Sequence, residues 1–358
     1  MSKADAEVAS LEPCPEKRFD TPLFQAGQSE MERLVGVTHA KDLYFGIVTS
    51  ISELSCLEHV EGGLSLDFSG HDFESLRRLR WVEGTLSLSG PLISDLTSLT
   101  GLEHVGSLRL SFLPQITSLE GIGGIAQGYD LHLGHLQIED LRGLDGFDSG
   151  GITLVDLPAL SSFRGLEALG SLDYLNVSNV PRLETLSSFP RVPIERFIDL
   201  RENSSLRDLH GLDHLVRLRS LSVTKNDALP SLEGLNGIEA IGEWITISNN
   251  NELTSLKGLG ALHTIGDELW IHGNPITSLE GLSNLQTVGG KLKIHESRKL
   301  ESVDHLRPDL GGSLQTVHSF IIYDNPALPT CNVQALIDST ADMESVSVSG
   351  NLADECGD

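Results

Sequence analysis

A short alternation of apolar, polar and apolar residues recurs along most of the chain. Leu64-Ser65-Leu66 returns as Leu86-Ser87-Leu88, Leu108-Arg109-Leu110, Leu131-His132-Leu133 and Ile152-Thr153-Leu154. It continues as Leu175-Asn176-Val177, Ile198-Asp199-Leu200, Leu221-Ser222-Val223, Ile245-Thr246-Ile247, Leu269-Trp270-Ile271 and Leu292-Lys293-Ile294. Phe320-Ile321-Ile322 and Val346-Ser347-Val348 close the series, and a degenerate copy around Leu43-Tyr44-Phe45 opens it. The spacing of about 21–24 residues is that of a leucine-rich solenoid, here of about fourteen coils. A period of two turns the outer residues of each triplet inward and the middle one to solvent, so each triplet predicts a short strand and the class is mainly β.

A second apolar set follows each triplet by roughly ten residues. It carries a glycine at 101, 121, 143, 165, 211, 234, 258 and 281, replaced once by Ser188. Glycine held at one phase predicts a positive φ or a close approach between coils. In the C-terminal half an asparagine follows the triplet at a fixed offset, at Asn203, Asn226, Asn250, Asn274, Asn325 and Asn351, which predicts stacked side chains serving turn backbone. Leu113, Leu136 and Leu157 hold that slot earlier, where an apolar turn is expected.

End coils of a solenoid expose an apolar face and need caps. The expected division is 1–34 as N-terminal tail and cap, 35–325 as solenoid and 326–358 as C-terminal cap, with a short helix within Cys331–Met343. Cys14 and Cys56 lie near one end, Cys331 and Cys356 near the other, and no CxxC pair suggests zinc. Two pairs at two ends look like disulfide staples on the caps, which implies an oxidising compartment; four free thiols in a cytoplasmic protein are the alternative. The opening Met-Ser-Lys-Ala-Asp-Ala-Glu has no apolar core and is not a signal peptide, so the chain is cytosolic or has lost its leader. Two Asn-X-Ser sequons, at Asn176 and Asn203, matter only in a eukaryotic secretory pathway.

Charge narrows the partners. Asp and Glu number 51 against 25 Lys and Arg, a formal charge of −26. That lacks the basic footprint of nucleic-acid binding and disfavours an anionic membrane surface. No run approaches the roughly 18 apolar residues of a membrane helix.

Cys14-Pro15, then Cys56-Leu57-Glu58-His59-Val60-Glu61-Gly62-Gly63-Leu64-Ser65-Leu66, resembles the opening of the receptor L domains of the insulin and epidermal growth factor receptors. The apolar residue, glycine and short strand return at Val82-Glu83-Gly84-Thr85-Leu86, Ile265-Gly266-Asp267-Glu268-Leu269 and Val288-Gly289-Gly290-Lys291-Leu292. Similar repeats occur in fungal cell-wall and bacterial surface proteins. The resemblance implies an extracytoplasmic, right-handed β-solenoid with caps, secreted or at the cell surface, that recognises through a sheet face. This chain has about twice as many coils as a receptor L domain and no kinase, so receptor signalling does not carry over.

The chain has no P-loop, HExxH or GxSxG. No enzyme, cofactor or metal is indicated. His210 and His214 are spaced for a metal only on a helix, and His59, His104 and His214 share a repeat slot as solvated surface histidines. The outward sheet face carries mostly Ser and Thr until the C-terminal coils. There Trp270 and His272, then Lys291, Lys293 and His295, then Ile321 and Tyr323 are expected to face out together as a ligand-binding cluster. Its lysines suggest an acidic or glycan ligand. The expected function is recognition of a protein or glycan, with a structural spacer or envelope scaffold as the alternative.

Overall fold

Each alternation is a β-strand, and in all but the last its outer aliphatics are withdrawn from water. Leu64, Leu86, Leu108, Leu131, Ile152, Leu221, Ile245, Leu269 and Leu292 are all essentially inaccessible, each burial contributing about 1.5–3 kcal/mol. The computed structural model describes residues 13–125, 127–340 and 343–354. The fold is mainly β and of leucine-rich-repeat type. Twenty-one strands, short 3-10 turns and two brief helices make up the described residues. The chain divides into two compact units, 1–172 and 173–358.

In the first unit, Leu23–Ala26, Leu43–Val48, Leu64–Phe68, Trp81–Ser89, His104–Leu113, Gln127–Leu136 and Asp148–Val155 succeed one another in a parallel ladder. The register sets Leu64 beside Leu86, Leu108 beside Leu131 and Leu131 beside Ile152. Leu23–Ala26 is a rung that the alternation does not show, and it lies within the segment 1–34 expected as N-terminal tail and cap. Met31 and Leu34, in the turns that follow it, are buried. The Cys14–Cys56 disulfide closes a separation of 42 residues, a loop worth about 4 kcal/mol in denatured-chain entropy.

In the second unit, Ile194–Arg201, Ser220–Thr224, Ile245–Ser248, Leu269–His272, Thr287–His295, Thr316–Tyr323 and Ser345–Ser349 form the corresponding ladder. The helix Thr330–Asp338 buries Val333, Leu336 and Ile337. Cys331 is disulfide-bonded, whereas Cys356 lies outside the described residues. In the last strand parity alone fails. Val346 is exposed on a strand that pairs with Thr316–Tyr323 alone among the described residues.

The glycine slot is architectural. Gly121, Gly143, Gly165, Gly211, Gly234 and Gly258 have φ between +103° and +112°. Gly281 instead answers to close approach, since a Cβ there would lie 2.1 Å from the Leu256 carbonyl oxygen.

The asparagines form a buried ladder. The backbone N–H of Asn203, Asn226 and Asn250 donates to the side-chain oxygen of Asn226, Asn250 and Asn274 respectively. Each Nδ2 reaches back to the carbonyl that ends the preceding alternation, Asn226 to Leu200 and Asn250 to Val223 at 2.9 Å. A glycan on Asn203 is therefore incompatible with this fold despite the sequon. In the first unit the same slot is apolar as expected, and Leu113 pairs directly with Leu136 in the strand ladder. Just before the slot sits a left-handed residue that is often not glycine, as at Glu202, Lys225, Asn249, Glu296 and Asp324.

Ser297 interrupts the asparagine ladder. Its N–H donates to Asn325 Oδ1 at 3.0 Å, but its buried hydroxyl oxygen has no partner. Ser297→Asn would extend the ladder toward Ile271 and Asn274, and is expected to stabilise the protein by about 1 kcal/mol. A urea midpoint unchanged or lowered in the variant would contradict that.

Candidate functional site

The outward face of the second unit's sheet is built by register. Thr246, Trp270, Lys293 and Ile321 stand side by side on successive strands, as do Ser248, His272, His295 and Tyr323. Lys291 is beside Ser319 on the flanking row. Adjacent strands are about 4.8 Å apart, and the sequence-predicted cluster is brought together here. Trp270 is 36% exposed and His295 only 7%, so the histidine lies beneath its aromatic neighbours instead of standing free. The His295 ring stacks on Tyr323 with centroids 4.5 Å apart and an interplanar angle of 9°. It lies 4.2 Å from the His272 ring and 5.9 Å from Trp270.

Hydrogen bonds set the tautomers. The Trp270 indole N–H donates to His295 Nε2 at 2.7 Å, so Nε2 offers its lone pair and the neutral ring's proton is on Nδ1. That Nδ1 is 3.0 Å from His272 Nδ1 and donates to it. The His272 N–H is then on Nε2. His272, His295 and Glu296 offer ligand atoms within 4.8 Å of one another, close enough for a metal ion. An ion on both Nδ1 atoms would drive the His295 proton onto Nε2, against the indole N–H. Metal-binding histidines ordinarily direct the second nitrogen at an acceptor, and here it faces a donor. The pair shares a proton.

Burial pushes the His295 pKa below the ordinary histidine value, and His272 adds to the depression, with Lys293 in the same sense and Glu296 and Asp324 opposing. Because the folded pKa is depressed, the unfolded chain binds this proton first. The contribution to stability is complete above about pH 6.5 and is lost as pH falls from there through the folded pKa. Protonated His295 carries hydrogen on Nε2 and expels the Trp270 N–H. The Trp270 indole resonance is therefore expected to shift on acidification with a midpoint below about 6.5. An NMR titration in which it shifts with a midpoint above about 6.5 would refute the assignment.

One of the two lysines is less available than its outward register suggests. Lys293 forms an ion pair with Glu268, and its ammonium lies 5.4 Å from the Trp270 ring centroid. The cluster is nearer neutral than cationic, which removes the reason for expecting an acidic ligand. The sequence reading also missed Trp244, which is 36% exposed and outward because it precedes Ile245 by one position. Tyr174 and Phe197, stacked with centroids 5.0 Å apart, extend the aromatic character. Parity carried past the triplet by one residue at each end would have found all three.

The other histidines do not converge. His210 pairs with Asp213 at 3.2 Å, while His214 Nε2 donates to the Val192 carbonyl at 2.7 Å. In the first unit His59 and His104 flank Trp81 on successive strands.

No family model matches the chain, and no curated protein matches it. Among solved structures it is similar to an internalin (inlF) from Listeria monocytogenes, at 17% identity over 91% of this chain and 84% of that one, with a TM-score of 0.38. It is similar to the TLR13–ssRNA13 complex at 20% identity and a TM-score of 0.38, covering 93% of this chain but 54% of that one. The functional domain of InlJ from Listeria monocytogenes, which includes a cysteine ladder, is 14% identical over 87% of this chain and 70% of that one, with a TM-score of 0.26. The repeat assignment stands on the coils of this chain itself. No helix among the described residues is long and apolar enough to cross a membrane.

Proposed function

We propose that the chain is a non-catalytic recognition module, secreted or displayed at the cell surface, which binds a protein or glycan through the outward sheet face of its second unit. The contacting residues in this reading are Trp270, His272, Lys291, Lys293, His295, Ile321 and Tyr323, joined by Trp244. One observation carries it. On the outward face of this sheet, an exposed indole is held by a hydrogen bond to a buried imidazole that itself lies flat against a tyrosine. Rigid aromatics lose little side-chain entropy on binding, which is why they dominate interface energetics. Near-neutral charge and flat ring faces suit a sugar ring or a partner's apolar side chains.

The disulfide at Cys14–Cys56 and the bonded state of Cys331 support an oxidising compartment. The receptor L-domain resemblance agrees with that location. Trp270→Ala combined with Tyr323→Ala is expected to weaken capture of a surface partner by tenfold or more, at about 1.4 kcal/mol per factor of ten, with little loss of fold. Equal capture by wild type and double variant, in quantitative pull-downs from cell-surface extracts, would dismiss the site and leave the spacer reading.

A further inference from the structure

We propose that the first unit carries a separate recognition pocket, beside Tyr129 and Asp148, which takes a basic side chain of a partner protein. The lateral strands of this unit stack His39, His59, Trp81 and His104 on successive rungs. The Trp81 and His104 rings are 4.7 Å apart and close to parallel. Past His104 the row opens into a pocket of about 300 Å³, lined by His104, Gly128, Tyr129, Asp148, Gly150 and Ser171. That lies at the lower end of the range for small-molecule sites and accommodates one long side chain.

Packing explains the opening. A Cβ on Gly128 would meet the Phe147 ring at 2.8 Å, and one on Gly150 the Tyr129 carbonyl oxygen at 2.8 Å. Both positions are restricted to glycine by the approach of neighbouring coils, and no side chains rise from them to fill the surface. Tyr129 stands beside them 79% exposed, too open to serve the core.

The sign of the charge selects the occupant. Asp148 lines the pocket with one carboxylate oxygen anchored by the Gly170 N–H at 3.1 Å, and among the described residues no Lys or Arg lines it. Arg80, one residue before Trp81, is held by Glu103 at 2.7 Å. A guanidinium or ammonium can lie on the Tyr129 ring face while pairing with Asp148. The net charge of −26 draws such a group toward the molecule and repels anions. A neutral sugar would gain the ring face but nothing from the charge.

The test uses the full chain and two peptides, acetyl-Gly-Arg-Gly-amide and its citrulline counterpart, followed by NMR at the Gly128 and Gly150 amides. The arginine peptide is expected to give saturable shifts that weaken with added salt, and citrulline to bind at least about tenfold more weakly. Asp148→Asn, which keeps an acceptor for Gly170, and Tyr129→Ala should each reproduce most of that loss. Tyr323→Ala, on the face of the second unit, should bind like wild type, so this site and that one fail independently. Equal response to the two peptides, no saturable shift with the arginine peptide, or shifts from maltohexaose alone would each overturn the proposal.

Discussion

Asn250→Ala is expected to lower the unfolding free energy by about 3–5 kcal/mol, although the position touches no proposed ligand. The side chain is wholly buried. Its oxygen accepts the Asn226 N–H at 2.9 Å, and its Nδ2 donates to the Val223 carbonyl at 2.9 Å and to Asn274 Oδ1 at 3.2 Å. Truncation leaves a buried donor and a buried acceptor unmatched and opens a void between coils. Each unmatched group costs about 1–3 kcal/mol. Asn250→Leu, which restores volume and not polarity, should recover little of the loss. Urea unfolding followed by circular dichroism measures both, and a leucine variant as stable as wild type would show that the slot is filled for shape alone.

Gly258→Ala is expected to be at least as damaging, above about 4 kcal/mol, while Gly260→Ala, two residues on, should be near neutral. Gly258 has φ of +110°, and a Cβ there would lie 1.8 Å from the Leu232 carbonyl oxygen. That contact is with backbone, which cannot step aside without moving the preceding coil. At Gly260 a Cβ would meet nothing within 4 Å. Long repeat arrays need not unfold in one step, so amide hydrogen exchange around Leu232 and Leu235 is the sharper readout. Faster exchange there in Gly258→Ala but not in Gly260→Ala is the expected result; equal protection in both would contradict it.

Much of this was legible in the residues because it depends on local parity. Leu64, Leu66, Ile245 and Ile247 must share a face whatever lies above them, since successive side chains of a strand alternate. The asparagine offset was readable for a similar reason: one slot, kept in phase with the strands, can only be stacked. The Ser/Thr character of the outward face was overdrawn, because Tyr174, Phe197 and Trp244 fall just outside the triplets used to read it.

The sequence alone determined the repeat, the inward residues, the glycine turns and the two ends at which cysteines cluster. Each follows from the chemistry of a residue and its distance along the chain to the next of its kind. Only the tertiary structure decided that His295 lies under Trp270 and Tyr323, that Glu268 holds Lys293, and that glycines beside Tyr129 leave a pocket. Those outcomes join residues on different coils, and irregular ladders such as the shift between Val288 and Lys291 make side-to-side neighbours a matter of how whole coils settle. Distance along the chain carries no record of that settling.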